Sequence, residues 1–259
     1  MNLGIVQGRL LKPVEGNIQE FPKNEWEKEF GIIGELGLTH IEWIITNKSF
    51  YEGVIDLKIS DYKDKISSIT CDNLITSDIF KSSFLEKQLK PICDWALKNG
   101  VNKISIPLLE DSTITPQNKR KFFDIIISYG LLYPELEFHF EMESDWGISL
   151  ELVKSSPNFY LIYDTGNITS CGFDHSEWIK NCIPYIRNVH LKDRTKKPIR
   201  TVKPFTGDTN FNLIFDKLKY FDYNGLYTLQ LARGKDGEEI ITTKEHIKLF
   251  KNLYEEKFI

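Results

Sequence analysis

The sequence alternates between two kinds of segment, and this alternation restricts the folds open to the chain. Short runs rich in β-branched and aromatic residues predict strands, and amphipathic stretches with helical spacing lie between them. The predicted strands are Leu3–Gln7, His40–Ile44, Ser68–Cys71, Lys103–Pro107, Leu136–Glu141, Tyr160–Asp164, Ile186–Lys192 and Leu226–Gln230. The predicted helices are Asn24–Leu36, Asp61–Ile66, Phe80–Asn99, Thr115–Leu132, Ser149–Ser155, Asp174–Asn181, Asn210–Phe221 and Lys244–Glu256.

Strict alternation of this kind predicts parallel strands joined by helical crossovers. Eight strand–helix units within 259 residues favour a closed (β/α)8 TIM barrel, which takes about 250 residues. No Gly/Ser-rich linker and no change of composition divides the chain. We therefore expect a single α/β domain over residues 1–259.

Local signals at the ends of the predicted helices agree with this division. Gly37 follows a helix at a position that favours a left-handed residue. Asp174 with Glu177, and Thr242 with Glu245, have the spacing of a capping box. These signals predict where the corresponding helices begin and end.

Composition and charge exclude several classes of protein. A hydrophobic fraction of 41% is ordinary for a globular protein and excludes disordered and collagen-like chains. The net charge of −4 argues against a nucleic-acid partner, which favours a basic surface. Met1–Arg9 is too short and polar for a signal peptide, and no apolar run is long enough to cross a membrane. We expect a cytoplasmic protein with four reduced cysteines, which are Cys71, Cys93, Cys171 and Cys182.

The ends of the predicted strands carry most of the polar side chains that could perform chemistry. In a TIM barrel the active site lies at these carboxyl ends, where buried charges are costly unless they are paired or bind a metal. Carboxylates combined with an imidazole suit Mn, Zn, Mg or Co, so a site for one divalent metal ion is expected. The strand ends carry Gln7 and Arg9, Glu42, Asp72, Glu110 and Asp111, Glu141 and Glu143, Asp164, His190 with Lys192 and Arg194, and Gln230 with Arg233.

Sequence motifs for phosphate loops and serine hydrolases are absent. The chain contains no GxGxxG, no GxxxxGK[ST] and no GxSxG pattern, so dinucleotide-binding, nucleoside-triphosphate-binding and serine-hydrolase functions lack support.

Several segments that lie in order along the chain, at or near predicted strand ends, are similar to stretches of one known family. They include Gly4–Leu10, Ile41–Ile44, Tyr163–Asn167, Val189–Arg194 and Leu229–Arg233. The sequence resembles the sugar phosphate isomerase/epimerase family of the xylose-isomerase-like TIM barrel superfamily, over essentially the whole chain. The resemblance implies Glu141, Asp164, His190 and Gln230 as metal ligands. Gln230 departs from the usual Glu, and a neutral amide cannot accept a proton.

The reaction implied by the resemblance is proton abstraction next to a carbonyl of a sugar or sugar phosphate. Glu141 is the expected base as well as a ligand, and Glu42 is the expected second acid, ahead of Asp72 and Glu143. The residues expected to bind substrate are Gln7, Arg9, Lys192, Arg194 and Arg233.

Other functions stay open at this point. Gln230 keeps a metal-dependent lyase or dehydratase of a polyol ketone in consideration, as well as a sugar-binding barrel with weakened catalysis. An endonuclease of the same superfamily fits less well, because only one of five histidines ends a strand. The expected partner is a small carbohydrate, with neither nucleic acid nor membrane, and the sequence leaves monomer and homodimer open.

Overall fold

A closed barrel of eight parallel strands forms the centre of the protein, as described by a computed structural model of residues 1–259. The order around the barrel is β1-β10-β7-β6-β5-β4-β3-β2, which confirms the predicted (β/α)8 TIM barrel. β8 and β9 form a separate antiparallel hairpin. The strands are β1 (Asn2–Val6), β2 (Ile41–Ile45), β3 (Ile66–Cys71), β4 (Lys103–Leu108), β5 (Glu137–Met142), β6 (Phe159–Asp164), β7 (Ile186–Leu191), β8 (Asp193–Lys196), β9 (Ile199–Val202) and β10 (Leu226–Leu229).

Helices surround this barrel and bury their apolar faces against its outer surface. The α-helices are α1 (Trp26–Leu36), α2 (Asn47–Tyr51), α3 (Ser82–Lys98), α4 (Lys119–Leu132), α5 (Trp146–Val153), α6 (Thr165–Cys171), α7 (His175–Cys182), α8 (Phe211–Tyr220) and α9 (Glu239–Phe258). Short 3-10 helices span Val14–Gly16, Val54–Asp56, Ser60–Lys65, Asp72–Leu74, Ser77–Phe80, Glu110–Ser112 and Ile183–Tyr185. None of the helices combines the length and apolarity needed to cross a membrane. All four cysteines are free thiols.

The structure differs from the sequence prediction mainly in its short elements. The second predicted helix is a 3-10 helix, Ser60–Lys65, rather than an α-helix. Helices α2 and α6 and the β8–β9 hairpin were not predicted. Each of these helices, and each strand of the hairpin, spans only four to seven residues, which is too short for a periodic pattern to show.

Two of the predicted helix boundaries are confirmed and one is wrong. Gly37 is left-handed at the end of α1, with φ of 63°, and the Asp174 side chain accepts a hydrogen bond from the Glu177 amide at 2.8 Å. Thr242 does not cap a helix. Its amide already donates to the Glu238 carbonyl at 2.8 Å, because α9 begins at Glu239.

Strand register brings the functional strand ends to one level of the barrel. His190 of β7 pairs with Asp164 of β6 and with Thr228 of β10. Residues paired in this way point to the same side of a sheet. The apolar neighbours Val189 and Leu191 are fully buried in the hydrophobic core, so the alternation along β7 directs His190 into the barrel.

The segment that follows β1 is held by an acid that sequence reasoning did not single out. Gly8 is left-handed, with φ of +82°, and a Cβ there would lie 2.4 Å from the Glu20 carbonyl oxygen. The buried Glu29 carboxylate of α1 accepts hydrogen bonds from the Gly8 amide at 2.9 Å and the Leu10 amide at 3.3 Å. Burial raises the pKa of Glu29 to about 7, despite these two hydrogen bonds.

The raised pKa of Glu29 predicts a pH-dependent stability. Because the folded-state pKa lies above that of the unfolded chain, Glu29 stabilises the fold fully below about pH 4.5 and loses this contribution as the pH rises through about 7. The unfolding free energy of the wild-type protein should fall by on the order of 3 kcal/mol between about pH 5 and about pH 8, and Glu29→Gln should not show this fall. Urea unfolding followed by circular dichroism measures this, with exposed Glu27→Gln as the control. An unchanged pH slope in Glu29→Gln would contradict the assignment.

Candidate functional site

Three neighbouring strand ends bring their polar side chains together inside the barrel mouth. The ligand atoms of Glu141 on β5, Asp164 on β6 and His190 on β7 all lie within 4.8 Å of one another. His190 Nδ1 is 3.2 Å from Glu141 Oε2 and 4.0 Å from Asp164 Oδ2. All three side chains are buried. Three of the four predicted metal ligands therefore surround one point.

The orientation of the His190 ring is set from behind by Glu42 of β2. His190 Nε2 lies 2.8 Å from Glu42 Oε2, so Nδ1 is directed towards Glu141 and Asp164. Nδ1 makes no hydrogen bond of acceptable geometry although it is fully buried. A carboxylate behind a histidine ring in this way fixes the ring and leaves the other nitrogen free for a metal.

The surroundings of Glu42 do not fit the role of second acid expected from sequence. Its side chain is completely buried, and both oxygens are engaged within the barrel. Oε1 accepts the hydroxyl of Thr70, and Oε2 accepts the amide of Asn188 at 2.9 Å as well as His190. The partners of Glu42 thus all lie inside the barrel, and one of them is the His190 ring that it orients.

The charges of the cluster call for a further cation. Three buried carboxylates, Glu42, Glu141 and Asp164, lie against His190, and the Lys192 ammonium group contacts Asp164. Burial disfavours the charged form of His190, but the carboxylates of Glu42 and Glu141 outweigh it and raise its pKa well above 6.5. Burial raises the pKa of Asp164 even though Lys192 opposes this. Carboxylate oxygens and one imidazole nitrogen are donors that a divalent metal accepts, so the residues fit such an ion.

Lys192 occupies the space between Asp164 and the fourth predicted ligand, Gln230. Its ammonium group lies 2.9 Å from Gln230 Oε1, 3.3 Å from Asp164 Oδ2 and 3.4 Å from Asn167 Oδ1. Asp164 Oδ2 is also the oxygen that faces His190. Lys192 thus competes for two of the oxygens that a metal would use.

Asn167 supports the cluster and was missed by sequence reasoning. Its side-chain amide donates to Glu141 Oε1 at 2.6 Å, and its backbone amide donates to Asp164 Oδ1 at 2.7 Å. The contact with Asp164 arises because Asp164 is the N-cap of α6. A Cβ at Gly166 would lie 2.9 Å from Lys192 Cγ, so this turn needs glycine. The Asp-Thr-Gly-Asn run directly after a strand was the available signal.

Two of the cations expected to bind substrate hold loops in place. Arg9 donates to the Leu231 carbonyl at 2.9 Å and to Gln19 Oε1 at 2.8 Å. Arg233 donates to three main-chain carbonyls of the segment 8–18. These bonds join the segment after β1 to the segment after β10.

The remaining predicted substrate-binding residues differ in their access to the mouth. Gln7 is fully buried, and its Oε1 accepts the Ile44 amide at 3.2 Å, which joins β1 to β2. Arg194 keeps 19% of its side chain exposed. One of its terminal nitrogens, Nη1, lies 3.3 Å from Glu143 Oε1 and 3.2 Å from Ser170 Oγ. Arg194 therefore retains partial access to solvent, whereas Gln7 does not.

Comparison with known proteins agrees with the barrel. No protein-family model matches the chain. It is 29% identical over 115 residues to an inosose dehydratase of Clostridium perfringens (strain 13 / Type A), a match covering 36% of this chain and 39% of that protein. A crystal structure of the IOLI protein with a zinc atom superposes with a TM-score of 0.76 at 16% identity, covering 100% of this chain and 99% of that one. An L-ribulose 3-epimerase gives 0.72 at 14% identity, covering 98% and 95%.

These likenesses are to xylose isomerase-like TIM barrels. The fold expected from the resemblance of sequence is therefore confirmed. At these identities the solved structures show the fold, and the matched dehydratase segment spans well under half of that protein's length.

The contact between Glu42 and His190 predicts how strongly a metal binds. Replacing Glu42 with Gln removes a negative charge and the acceptor that orients the ring, so we expect affinity for Zn²⁺ to fall about 10-fold to 100-fold. Isothermal titration calorimetry measures the affinity, and circular dichroism checks the fold. Glu137→Gln, at the opposite end of β5, is the control and should bind as the wild type does. Equal affinity in Glu42→Gln would contradict the positioning role.

Removing Lys192 should strengthen metal binding. Its ammonium group repels a divalent ion nearby and occupies the Asp164 and Gln230 oxygens. Like charges a few ångströms apart cost several kcal/mol at the dielectric typical of proteins, so we expect Lys192→Met to bind Zn²⁺ at least about tenfold more tightly. The matched control is Lys196→Met, which removes an exposed lysine of β8. Unchanged or weaker binding in Lys192→Met would show that Lys192 does not compete with the metal.

Proposed function

We propose that this protein is a divalent-metal-dependent isomerase or epimerase that abstracts a proton next to the carbonyl of a sugar or sugar phosphate. The observation that carries the proposal is the cluster of Glu141, Asp164 and His190, with His190 Nδ1 buried, unpartnered and directed at the two carboxylates. This arrangement supports a metal site at the place where a TIM barrel performs its chemistry.

Glu141, Asp164 and His190 would hold the ion. The Lys192 ammonium group links the side-chain oxygen of Gln230 to Asp164. A divalent ion bound there supplies Lewis acidity, which polarises a carbonyl and stabilises the negative charge that develops on its oxygen. The identity of the ion among Mn, Zn, Mg and Co is part of the test.

Glu141 is the group suited to take the proton from carbon. Burial disfavours its charged form, but His190 and Lys192 outweigh burial and keep its pKa below the ordinary value, so the carboxylate is ionised. Asn167 fixes one of its oxygens at 2.6 Å. A base must be both ionised and held in position to remove a carbon-bound proton, and Glu141 meets both conditions.

Two cations are suited to the oxygens of the substrate. Lys192, only 7% exposed, can donate a hydrogen bond to a hydroxyl or to the oxygen that gains charge, as Gln230 and Asp164 release it. Arg194 lies further out and is partly exposed, where a phosphate or carboxylate at the far end of a substrate could replace Glu143 as its partner. Guanidinium groups bind such planar or multivalent anions well.

A dehydratase is the second candidate. It begins with the same proton abstraction and then expels a hydroxyl group next to the new double bond. Two observations favour it: the partial match to an inosose dehydratase and the neutral Gln230. L-ribulose and inosose are both polyhydroxylated ketones, so a compound of this class is the proposed substrate for either reaction.

One experiment separates these functions. The protein loaded with Mn²⁺, Zn²⁺, Mg²⁺ or Co²⁺ is incubated in D₂O with L-ribulose, D-fructose, D-fructose 6-phosphate and inosose, and followed by NMR. We expect chelator-sensitive deuterium incorporation next to the ketone. Retention of the hydroxyl groups indicates an isomerase or epimerase, and loss of water indicates a dehydratase.

Glu141→Gln tests the proposed base in the same assay. The variant cannot accept the proton, so we expect at least about 100-fold slower exchange. Exposed Glu135→Gln serves as the control and should exchange at the wild-type rate. Absence of exchange in the wild-type protein with every ketone and metal would contradict the proposed function, and so would full exchange in metal-loaded Glu141→Gln.

A further inference from the structure

An epimerase that works with two groups needs an acid on the face of the substrate opposite its base. This inference rests on the proposed function, because it concerns the same reaction. Gln230 cannot exchange a proton, and the Glu42 side chain lies behind His190 with no exposed surface. The acid must therefore come from another strand end.

Asp72 lies at the carboxyl end of β3, on the side of the strand that faces the barrel interior. Ser68 accepts the hydroxyl of Ser105 at 2.8 Å, and Thr70 donates to Glu42, so the even-numbered residues of β3 point inward. Asp72 directly follows β3 as the first residue of the 3-10 helix Asp72–Leu74, and the charges of Glu141, Glu42 and Lys192 act on it, which places it at the mouth. It is half-buried, whereas Ser68 and Thr70 are buried.

Asp72 lies across the ring of strands from the β7 side of the metal cluster, where His190 is. In the ring of eight strands β3 and β7 are four steps apart, which is the largest separation the ring allows. His190 and Lys192 come from β7 and the residue just after it. The Glu141 carboxylate leans towards them, with Oε2 at 3.2 Å from His190 Nδ1. Glu141 belongs to β5, two positions from β3 in the ring, so Glu141 and Asp72 reach the mouth from two separate strand ends.

A chain of hydrogen bonds holds Asp72 in this place. Gln19 donates to Asp72 Oδ2 at 2.6 Å, and Arg9 donates to Gln19 Oε1 at 2.8 Å. Asp72 Oδ1 accepts no hydrogen bond from the protein and is not sealed from solvent. One oxygen of the carboxyl group is therefore fixed while the other is free to face a ligand.

The charges around Asp72 suit a group that exchanges protons near neutral pH. Burial raises its pKa to about 7, and repulsion from Glu141 and Glu42 adds to this, while Gln19 and Lys192 act in the opposite direction. Arg9 is the other charged group that acts on it.

We propose that Asp72 is the second acid–base residue of the site and that Gln19 is the residue that positions it. Glu141 takes the proton from the carbon next to the ketone, and the electron pair of the broken C–H bond forms the enediolate. Asp72, in its acid form, delivers its proton to the opposite face of that carbon. The enediolate pair forms the new C–H bond, and the ketone returns. Glu141 ends protonated, Asp72 ends ionised, and exchange with water restores both.

The test follows both epimers of the ketose that the wild-type protein turns over, in D₂O, with Asp72→Asn loaded with metal. We expect interconversion of the epimers to fall at least about 100-fold. Deuterium exchange should persist from the epimer whose proton faces Glu141 and be lost from the other. Zn²⁺ affinity should stay within about twofold. Asp111→Asn, at the neighbouring strand end, is the control and should leave both directions unchanged.

Gln19→Leu tests the positioning role and guards against misfolding of the first variant. It leaves the Asp72 carboxyl group in place but removes its anchor. We expect kcat for epimerisation to fall about tenfold with KM and metal affinity unchanged, a split that general destabilisation would not produce.

The outcomes separate this inference from the function on which it rests. Wild-type rates in Asp72→Asn would overturn the role of Asp72 and leave the metal-dependent function intact. Loss of exchange from both epimers while metal is bound would also overturn it, because Asp72 would then be the base for each. If the wild-type protein exchanges no proton with any ketose, the proposed function fails and the inference fails with it.

Discussion

The hydrogen bond between Glu42 and His190 is the interaction on which the rest of the site depends. It joins residues 148 positions apart in sequence and turns a single nitrogen towards two carboxylates. Burying these charges is costly unless a cation accompanies them. Lys192 supplies one positive charge, and a proton or metal at His190 supplies the other. The buried carboxylates around His190 therefore favour binding of a cation.

Two of the cations expected to bind substrate also hold the framework together. Arg233 and Arg9 join the segment after β10 to the segment after β1 through main-chain carbonyls. The buried carboxylate of Glu29 holds the start of the segment after β1. This framework brings Gln19 to Asp72. Charged side chains at the rim thus fix the position of Asp72. The net charge of the whole chain, −4, does not describe the charge at the barrel mouth.

Gln230 lowers the negative charge of the site but leaves the other predicted ligands in place. An amide in place of a carboxylate lowers the negative charge, and its oxygen accepts Lys192 at 2.9 Å. The same ammonium group contacts Asp164. A metal bound at this cluster would therefore compete with Lys192 for these two oxygens.

The alternation of short apolar strands and amphipathic helices determined the barrel from sequence alone, because parallel strands with helical crossovers leave few other arrangements. The strand ends gave the candidate polar residues, and the resemblance to a known family implied Glu141, Asp164 and His190 as ligands among them, which the fold brings within 4.8 Å of one another. Tertiary structure alone decided that Glu42 positions His190 and that Arg9 serves Asp72 through Gln19. These partners come from distant strands and loops, and a one-dimensional pattern shows which face a side chain occupies but not which groups meet it across the barrel.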